Sequence, residues 1–365
     1  MQIEAMVIRE KSGPFTRQTV ELEAPRAGEV LVRLVATGMC HTDLAIAAQH
    51  VPYPFPAVLG HEGAGLVELV GPGVSHVSPG DPVVLTFSAC GHCLNCESGH
   101  DAYCHEFRAL NLSGKRADGS SPLKEGDAPL AGMFFGQSSF ATHAIARAAG
   151  VVKVKADAPL ELLGPLGCSI QTGAGAMLNV LKPAPDAVVA IVGVGAVGMA
   201  ALMGARILGC KTIIAVDRVD SRLETARALG ATVTVNAASG SLSDAAAPFG
   251  GFDVVFDTTG NEAVAKEAIS RLRPNGVFAL VGGAKPGARV EVELSYLVAG
   301  RKIMGISEGD AQPATFIPKL VDYYLEGRLP LEKIVRFYEL DQINQAAADS
   351  LSGDAIKPIL RMPKG

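Results

Sequence analysis

The sequence predicts an α/β protein of two domains, one β-rich and one built on a parallel, doubly wound sheet. Three observations predict it. The chain has 365 residues, too many for one ordinary hydrophobic core. Its first ~160 residues carry short strand patterns punctuated by Gly and Pro, as in VPYPFPAVLG and VGPGVSHVSPGDPVV. From residue 170 onward, fully apolar strand segments alternate with helical ones, the pattern of a sheet covered on both faces.

Composition narrows the function. Hydrophobic residues make up 48% and charged ones 19%, so a large core is available and disorder is excluded. The net charge is −5 and no Lys/Arg run reaches five residues. That leaves no electrostatic footprint for nucleic acid or an anionic membrane. The start, MQIEAMVIREKSG, lacks the basic and apolar regions of a secretory signal. The most apolar run, Ala187 to Met203, is shorter than the ~20 residues of a membrane span and is broken by glycines. A cytoplasmic protein is expected, where clustered cysteines bind metal rather than form disulfides.

In chain order, Glu29 to Ala36 (EVLVRLVA) and Leu59 to Val70 (LGHEGAGLVELV) read as strands. Residues 107–139 are polar and Gly-rich without a clear period and read as a long loop. Residues 170–181 read as a helix. Asp186 to Val192, Lys211 to Val216, Ala231 to Val235, Phe252 to Phe256 and Gly276 to Val281 read as strands. Helical runs lie between them at MAALMGARILG, Ser221 to Leu229 and Glu262 to Leu272. Beyond Gly305 two helices are expected. One opens at Pro318 and stops at Gly327; the other starts after an N-cap at Asp341 and ends before Gly353.

Three constellations carry chemistry. Gly193-Val-Gly195-Ala-Val-Gly198 follows an apolar strand and opens a helix, with Asp217 ending the next strand. In that context GxGxxG is the dinucleotide signature of a Rossmann domain. The glycines permit the tight turn, the approach of a pyrophosphate and close helix–strand packing, and the helix N-terminus attracts phosphate. Asp217 accepts hydrogen bonds from a ribose diol and repels a 2′-phosphate, favouring NAD, although Arg218 beside it softens that preference. Second, Cys90, Cys93, Cys96 and Cys104 have C-x2-C-x2-C-x7-C spacing. Four thiolates make a closed tetrahedral zinc site with no room for substrate. An iron–sulfur cluster or free thiols are the alternatives; the long last spacing and the absence of Pro after Cys104 weigh against the cluster. Third, Cys40 in CHTD, His61 in GHEGAG and Cys168 form the Cys/His/Cys set that a catalytic zinc with an open position needs. Singly, each cysteine reads as a small buried hydrophobe, as Cys210 does.

Taken together, these motifs resemble those of the zinc-dependent medium-chain alcohol dehydrogenases. The likeness runs over nearly the whole chain and includes GC-x3-TG at Gly167 to Gly173 and Val281-Gly-Gly283. Phe134-Phe-Gly-Gln-Ser-Ser-Phe140 and the RADGS loop are most similar to bacterial aryl (benzyl) alcohol dehydrogenases. The resemblance implies a GroES-like catalytic domain over 1–169 and 306–365, with a structural zinc loop at 90–104, and an NAD-binding Rossmann domain over 170–305. It implies two zinc ions per chain, NAD, a small alcohol or aldehyde substrate, and a homodimer or homotetramer.

The resemblance also implies roles. Cys40, His61 and Cys168 bind catalytic zinc, Glu62 sits beside it, and Asp43 fixes the His61 tautomer. Thr42 bonds the alcohol oxygen, and His41 faces the pyrophosphate. Thr172 and the backbone of Val281, Gly282 and Gly283 line the nicotinamide. Arg222 lies near the adenosine ribose and Lys357 near the pyrophosphate. Phe87 and Phe140 are candidates for the substrate pocket or for the core. Many members of the family end a proton relay on a histidine where this sequence has Ala45, leaving water or His50 as the acceptor.

Overall fold

The computed structural model describes residues 1–363. The chain forms two compact units, Met1–Cys168 with Gln312–Gly365, and Ser169–Ala311. No helix among the described residues is long and apolar enough to cross a membrane.

The first unit is β-rich and holds two sheets. A five-stranded sheet runs Ala57–Val58, Gln2–Ile8, Thr16–Leu22, Leu123–Glu125, Ala128–Leu130. A seven-stranded sheet centres on Glu29–Gly38, which pairs antiparallel with Glu62–Val70, His143–Arg147 and Lys357–Arg361. It carries most of the positions that matter here. Its register places Gly38 opposite Glu62, and a Cβ at Gly38 would collide with the Glu62 carboxylate. Two register shifts, at Leu31/Val32 and Leu34/Ala36, bend this strand between its neighbours.

The second unit is a six-stranded parallel sheet in the order Val233–Asn236, Thr212–Asp217, Val188–Val192, Phe252–Asp257, Leu272–Leu280, Lys302–Gly305. That is the 3-2-1-4-5-6 order of a Rossmann domain. All five residues of Val188–Val192 are buried, as a central strand covered by helices on both faces requires.

Four expectations need correction. Residues 107–139 are not a plain loop: they contain the helix Phe107–Leu112, the hairpin Leu123–Glu125/Ala128–Leu130 and a single turn at Phe134–Gly136. These elements are too short to show a period. The helix expected at Pro318 begins at Pro313 instead, runs to Leu325 and keeps Pro318 inside. Pro313 takes the first helical position, where a missing N–H costs nothing. The last helix is Ile343–Ser352, preceded by the turn Leu340–Gln342 where Gln342 Oε1 accepts from Glu339 N, while the Asp341 carboxylate pairs with Arg17. Finally, Ile306 to Ala311, expected with the catalytic domain, cluster with the second unit. Ile306 N donates to Leu280 O, and Gly309 packs on Gly175 of the helix Ser169–Gly175.

Candidate active site

The first unit builds a buried metal-binding set from three separate segments. The helix His41–Ala47 starts directly after Cys40. Asp43, at its third position, turns back so that its Oδ2 accepts from Cys40 N at 2.8 Å, closing the helix start. The same carboxylate reaches the neighbouring segment: Oδ1 accepts from Gly60 N at 3.1 Å and from His61 Nδ1 at 2.9 Å. One fully buried carboxylate therefore ties the Cys40 and His61 segments together. Cys168 comes from a third, held by Cys168 N donating to Pro165 O at 3.3 Å and Thr86 Oγ1 donating to Gly167 O at 2.6 Å.

The ligand atoms of Cys40, His61 and Cys168 all lie within 4.8 Å of one another, and all three residues are buried. The residues fit a metal. His61 donates its Nδ1–H to Asp43, which leaves the Nε2 lone pair, buried and without a hydrogen-bond partner, for a ligand. The Cys40 thiol is held well below the usual range, first by its contact with Cys168 and, against burial, by His61. Burial opposes charge on His61, but Asp43 and Cys40 outweigh it and raise its pKa well above the ordinary value, so a cation that takes Nε2 displaces a proton there.

Around this set, Thr42 Oγ1 lies 3.7 Å from Cys40 Sγ. His41 is exposed on the first turn of its helix. Glu62 is fully buried, and burial raises its pKa. Its carboxylate faces Lys357, whose Nζ donates to Oε1 at 3.0 Å, to Oε2 at 2.9 Å and to Met39 O at 3.0 Å. Lys357 is 1% exposed and lies on an inner strand of its sheet. Phe87 and Phe140 are core residues, packed on Phe107 and Phe15. The aromatic rings beside the metal set are Phe134 and Phe135, which pack against His61. Sequence reading noted their segment only as a likeness and gave neither residue a role. Gln137, which grips the backbone on both sides of Glu62, also carried no readable signal: its Nε2 donates to His61 O at 3.0 Å and its Oε1 accepts from Gly63 N at 3.1 Å. Ala45 lies in the same helix as Thr42, and the exposed His50 follows it, donating its N–H to Ala45 O at 2.9 Å.

The four-cysteine loop brings Cys90, Cys93, Cys96 and Cys104 within 4.8 Å of one another. Backbone donors face the sulfurs: Cys90 N on Cys104 Sγ at 3.3 Å, His105 N on Cys93 Sγ at 3.5 Å, Glu106 N on Cys104 Sγ at 3.4 Å. The His105 and Cys96 N–H groups push the Cys93 thiol down to about 6, whereas burial pushes Cys96 up to about 12 and raises Cys104. This array of donors suits thiolates gathered on a cation.

In the second unit Gly193 has φ +81°, and a Cβ there would strike Thr258 Oγ1. A Cβ at Gly198 would strike Gly193 O, whereas one at Gly195 would meet nothing within 4 Å. The turn is thus closed on its helix side and open at Gly195. Asp217 ends its strand; its Oδ2 accepts from Val194 N at 2.9 Å and its Oδ1 from Arg218 N at 2.7 Å and Val219 N at 3.0 Å. A terminal nitrogen of Arg222 lies 3.9 Å from Asp217 Oδ2. The Val281 and Gly282 N–H groups donate to Asp257 O at 2.9 and 3.3 Å, and Thr172 Oγ1 donates to Glu308 Oε2 at 3.3 Å.

Fold and site together define a two-unit dehydrogenase with metal sets on one unit and a dinucleotide motif on the other. Residues 26–156 match the alcohol dehydrogenase GroES-like domain family, and residues 196–323 match the zinc-binding dehydrogenase family. The chain belongs to the zinc-dependent medium-chain alcohol dehydrogenases. Among its relatives, the geraniol dehydrogenase of Castellaniella defragrans is 44% identical over 98% of this chain and 97% of its own. Benzyl alcohol dehydrogenase from Acinetobacter calcoaceticus has a solved structure at 43% identity and TM-score 0.96, covering all of both chains. The crystal structure of an alcohol dehydrogenase zinc-binding domain protein from Burkholderia ambifaria matches at 51% identity and TM-score 0.97, again over all of both chains.

Proposed function

We propose that this chain catalyses the reversible, NAD-linked oxidation of a primary, benzyl-type alcohol to its aldehyde. The observation that carries the reading is the convergence of Cys40, His61 and Cys168, with Asp43 orienting the imidazole. Two thiolates and a neutral imidazole make a three-ligand set that leaves a tetrahedral position for substrate. Zinc, when bound there, supplies Lewis acidity toward the hydroxyl oxygen, and NAD accepts the hydride. The carbinol C–H leaves as hydride and the hydroxyl proton leaves separately. Thr42 is assigned to hold that proton. Ala45 provides no base beyond it, so the proton passes to water or to His50.

The other residues take supporting roles. Asp217 accepts from the adenosine ribose and disfavours a 2′-phosphate, with Arg222 beside it. Gly193, Gly195 and Gly198 bring the pyrophosphate to the helix N-terminus. Thr172 and the backbone of Val281, Gly282 and Gly283 are assigned to the nicotinamide, and His41 to the pyrophosphate. The Cys90–Cys104 loop holds a second, structural zinc. The family resemblance in the sequence implies a homodimer or homotetramer, which sedimentation of the purified chain tests.

The likeness over all of both chains to benzyl alcohol dehydrogenase from Acinetobacter calcoaceticus supports the aromatic substrate. The likeness to a geraniol dehydrogenase favours a second reading, a terpenoid alcohol. Both alcohols attach the carbinol carbon to an sp² carbon. The test is kcat/KM for benzyl alcohol, geraniol, ethanol and hexanol. Benzyl alcohol is expected to lead ethanol and hexanol by about tenfold or more, some 1.4 kcal/mol of transition-state discrimination. A lead for geraniol over benzyl alcohol selects the terpenoid reading, and a lead for hexanol removes both.

A further inference from the structure

The segment after Met133 grips His61 in a way that metal ligation alone does not explain. The Phe135 ring lies over the His61 imidazole, with centroids 4.5 Å apart and planes inclined by 27°. Phe134 meets the same imidazole edge-on at 5.2 Å and 88°, and packs edge-to-face on Phe135 at 5.0 Å and 77°. Gln137 holds the His61 carbonyl from below.

The backbone is bent to deliver these rings. Phe135 has φ +48°, in the left-handed region that a bulky L-residue avoids. Such a conformation is unfavourable and persists only where the surroundings impose it. Here Ser138 imposes it: its N–H donates to Phe134 O at 3.0 Å, its Oγ accepts from Phe134 N at 2.9 Å, and its Oγ donates to Val58 O at 2.7 Å. Glycine or asparagine would take this φ at lower cost. What phenylalanine adds is its ring, and that ring lies on a metal-ligating side chain.

We propose that Phe135 is a positioning residue for His61, locking the imidazole plane and slowing loss of metal from the Cys40–His61–Cys168 set. The inference rests on reading that set as a zinc site. Asp43 holds Nδ1 in place, but one hydrogen bond leaves the ring free to rock about it. A ring stacked on one face and a ring edge beside it remove that motion and keep water off the metal–nitrogen bond. The Nε2 lone pair then stays aimed at the two sulfurs. Groups that orient a ligand in this way typically govern metal affinity by ten- to hundredfold.

The experiment is zinc release from the purified holoenzyme to a chromogenic chelator, followed in time. The four-cysteine loop is the internal control. Wild type should release two equivalents, and Cys40→Ser should lack the phase that belongs to the His61 set. Phe135→Asn tolerates the left-handed backbone and removes the ring; it should accelerate that phase about tenfold or more and leave the other unchanged. Phe135→Leu, apolar but not flat, should accelerate it too. Phe135→Tyr keeps a stacked ring and should release zinc at the wild-type rate. An unchanged rate in Phe135→Asn would overturn the proposal, as would acceleration of both phases together or equal acceleration by the tyrosine variant. A wild type that holds only one zinc, absent from Cys93→Ser, would instead remove the underlying reading of the His61 set.

Discussion

The pair Lys357–Glu62 ties two distant segments of the chain together inside the first unit. Both side chains are 2% exposed or less, and the ammonium has three acceptor contacts. Burial raises the Glu62 pKa; Lys357 lowers it but does not cancel the rise. Lys357→Met would strand a buried carboxylate, at a cost of ~3–5 kcal/mol. The sign of the pH dependence follows. A carboxyl whose folded pKa lies above its unfolded value binds its proton more tightly in the folded state. The deficit of Lys357→Met should therefore be largest above the folded pKa of Glu62 and shrink as pH falls through it. Adding Glu62→Gln should recover much of the loss at neutral pH. Urea unfolding midpoints of the three proteins across pH measure this; a deficit that grows toward low pH would contradict it. The sequence could not reveal the pairing. Lys357 and Glu62 are 295 positions apart, and only the register of Glu29–Gly38 with both their strands brings them together. Asp43 was named only through the family resemblance, as the partner of His61; its local bond to Cys40 N was not read from the sequence.

At the scale of elements, legibility followed length and period. The five strands read from residues 186 to 281 are apolar and alternate with helices, and each lies in the parallel sheet. The elements of 107–139 run three to six residues, shorter than any period they could display. The four-cysteine loop was visible from spacing alone, since its ligands come from one stretch. Its physics also sets its fragility. Of its residues only Ala102 and Cys104 are buried, so it has almost no apolar core and metal ligation must hold it. Cys93→Ser should lose one zinc per chain and open residues 90–104 to proteolysis. Cys40→Ser should also lose one zinc but leave the loop resistant and abolish turnover. Limited proteolysis with metal analysis tests both; equal loop cleavage in the two variants would deny the division between a staple and a reaction centre.

At the scale of the whole molecule, metal and nucleotide chemistry sit on different compact units: every metal-set cysteine lies in the first and the glycine turn with Asp217 in the second. The sequence motifs announced this split because each is local to its unit. The ring packing on His61 escaped notice because nothing in a run of phenylalanines says which surface it faces. The split predicts reciprocal independence. Asp217 also holds the glycine turn through Val194 N, so weakening its charge should act on the nucleotide twice, through the ribose and through the turn. Asp217→Asn should weaken NADH binding by ten- to hundredfold, the worth of a charge-assisted hydrogen bond at ~1.5–3 kcal/mol. It should keep both zinc ions. Cys40→Ser should do the opposite, retaining NADH affinity within about twofold of wild type, because the hydrogen bonds that hold Asp217 and its turn all lie within the second unit. NADH titration by fluorescence and zinc analysis on the same samples separate the two. If Asp217→Asn shed zinc, or Cys40→Ser lost NADH binding, the units would be energetically coupled and their chemistry could not be assigned unit by unit.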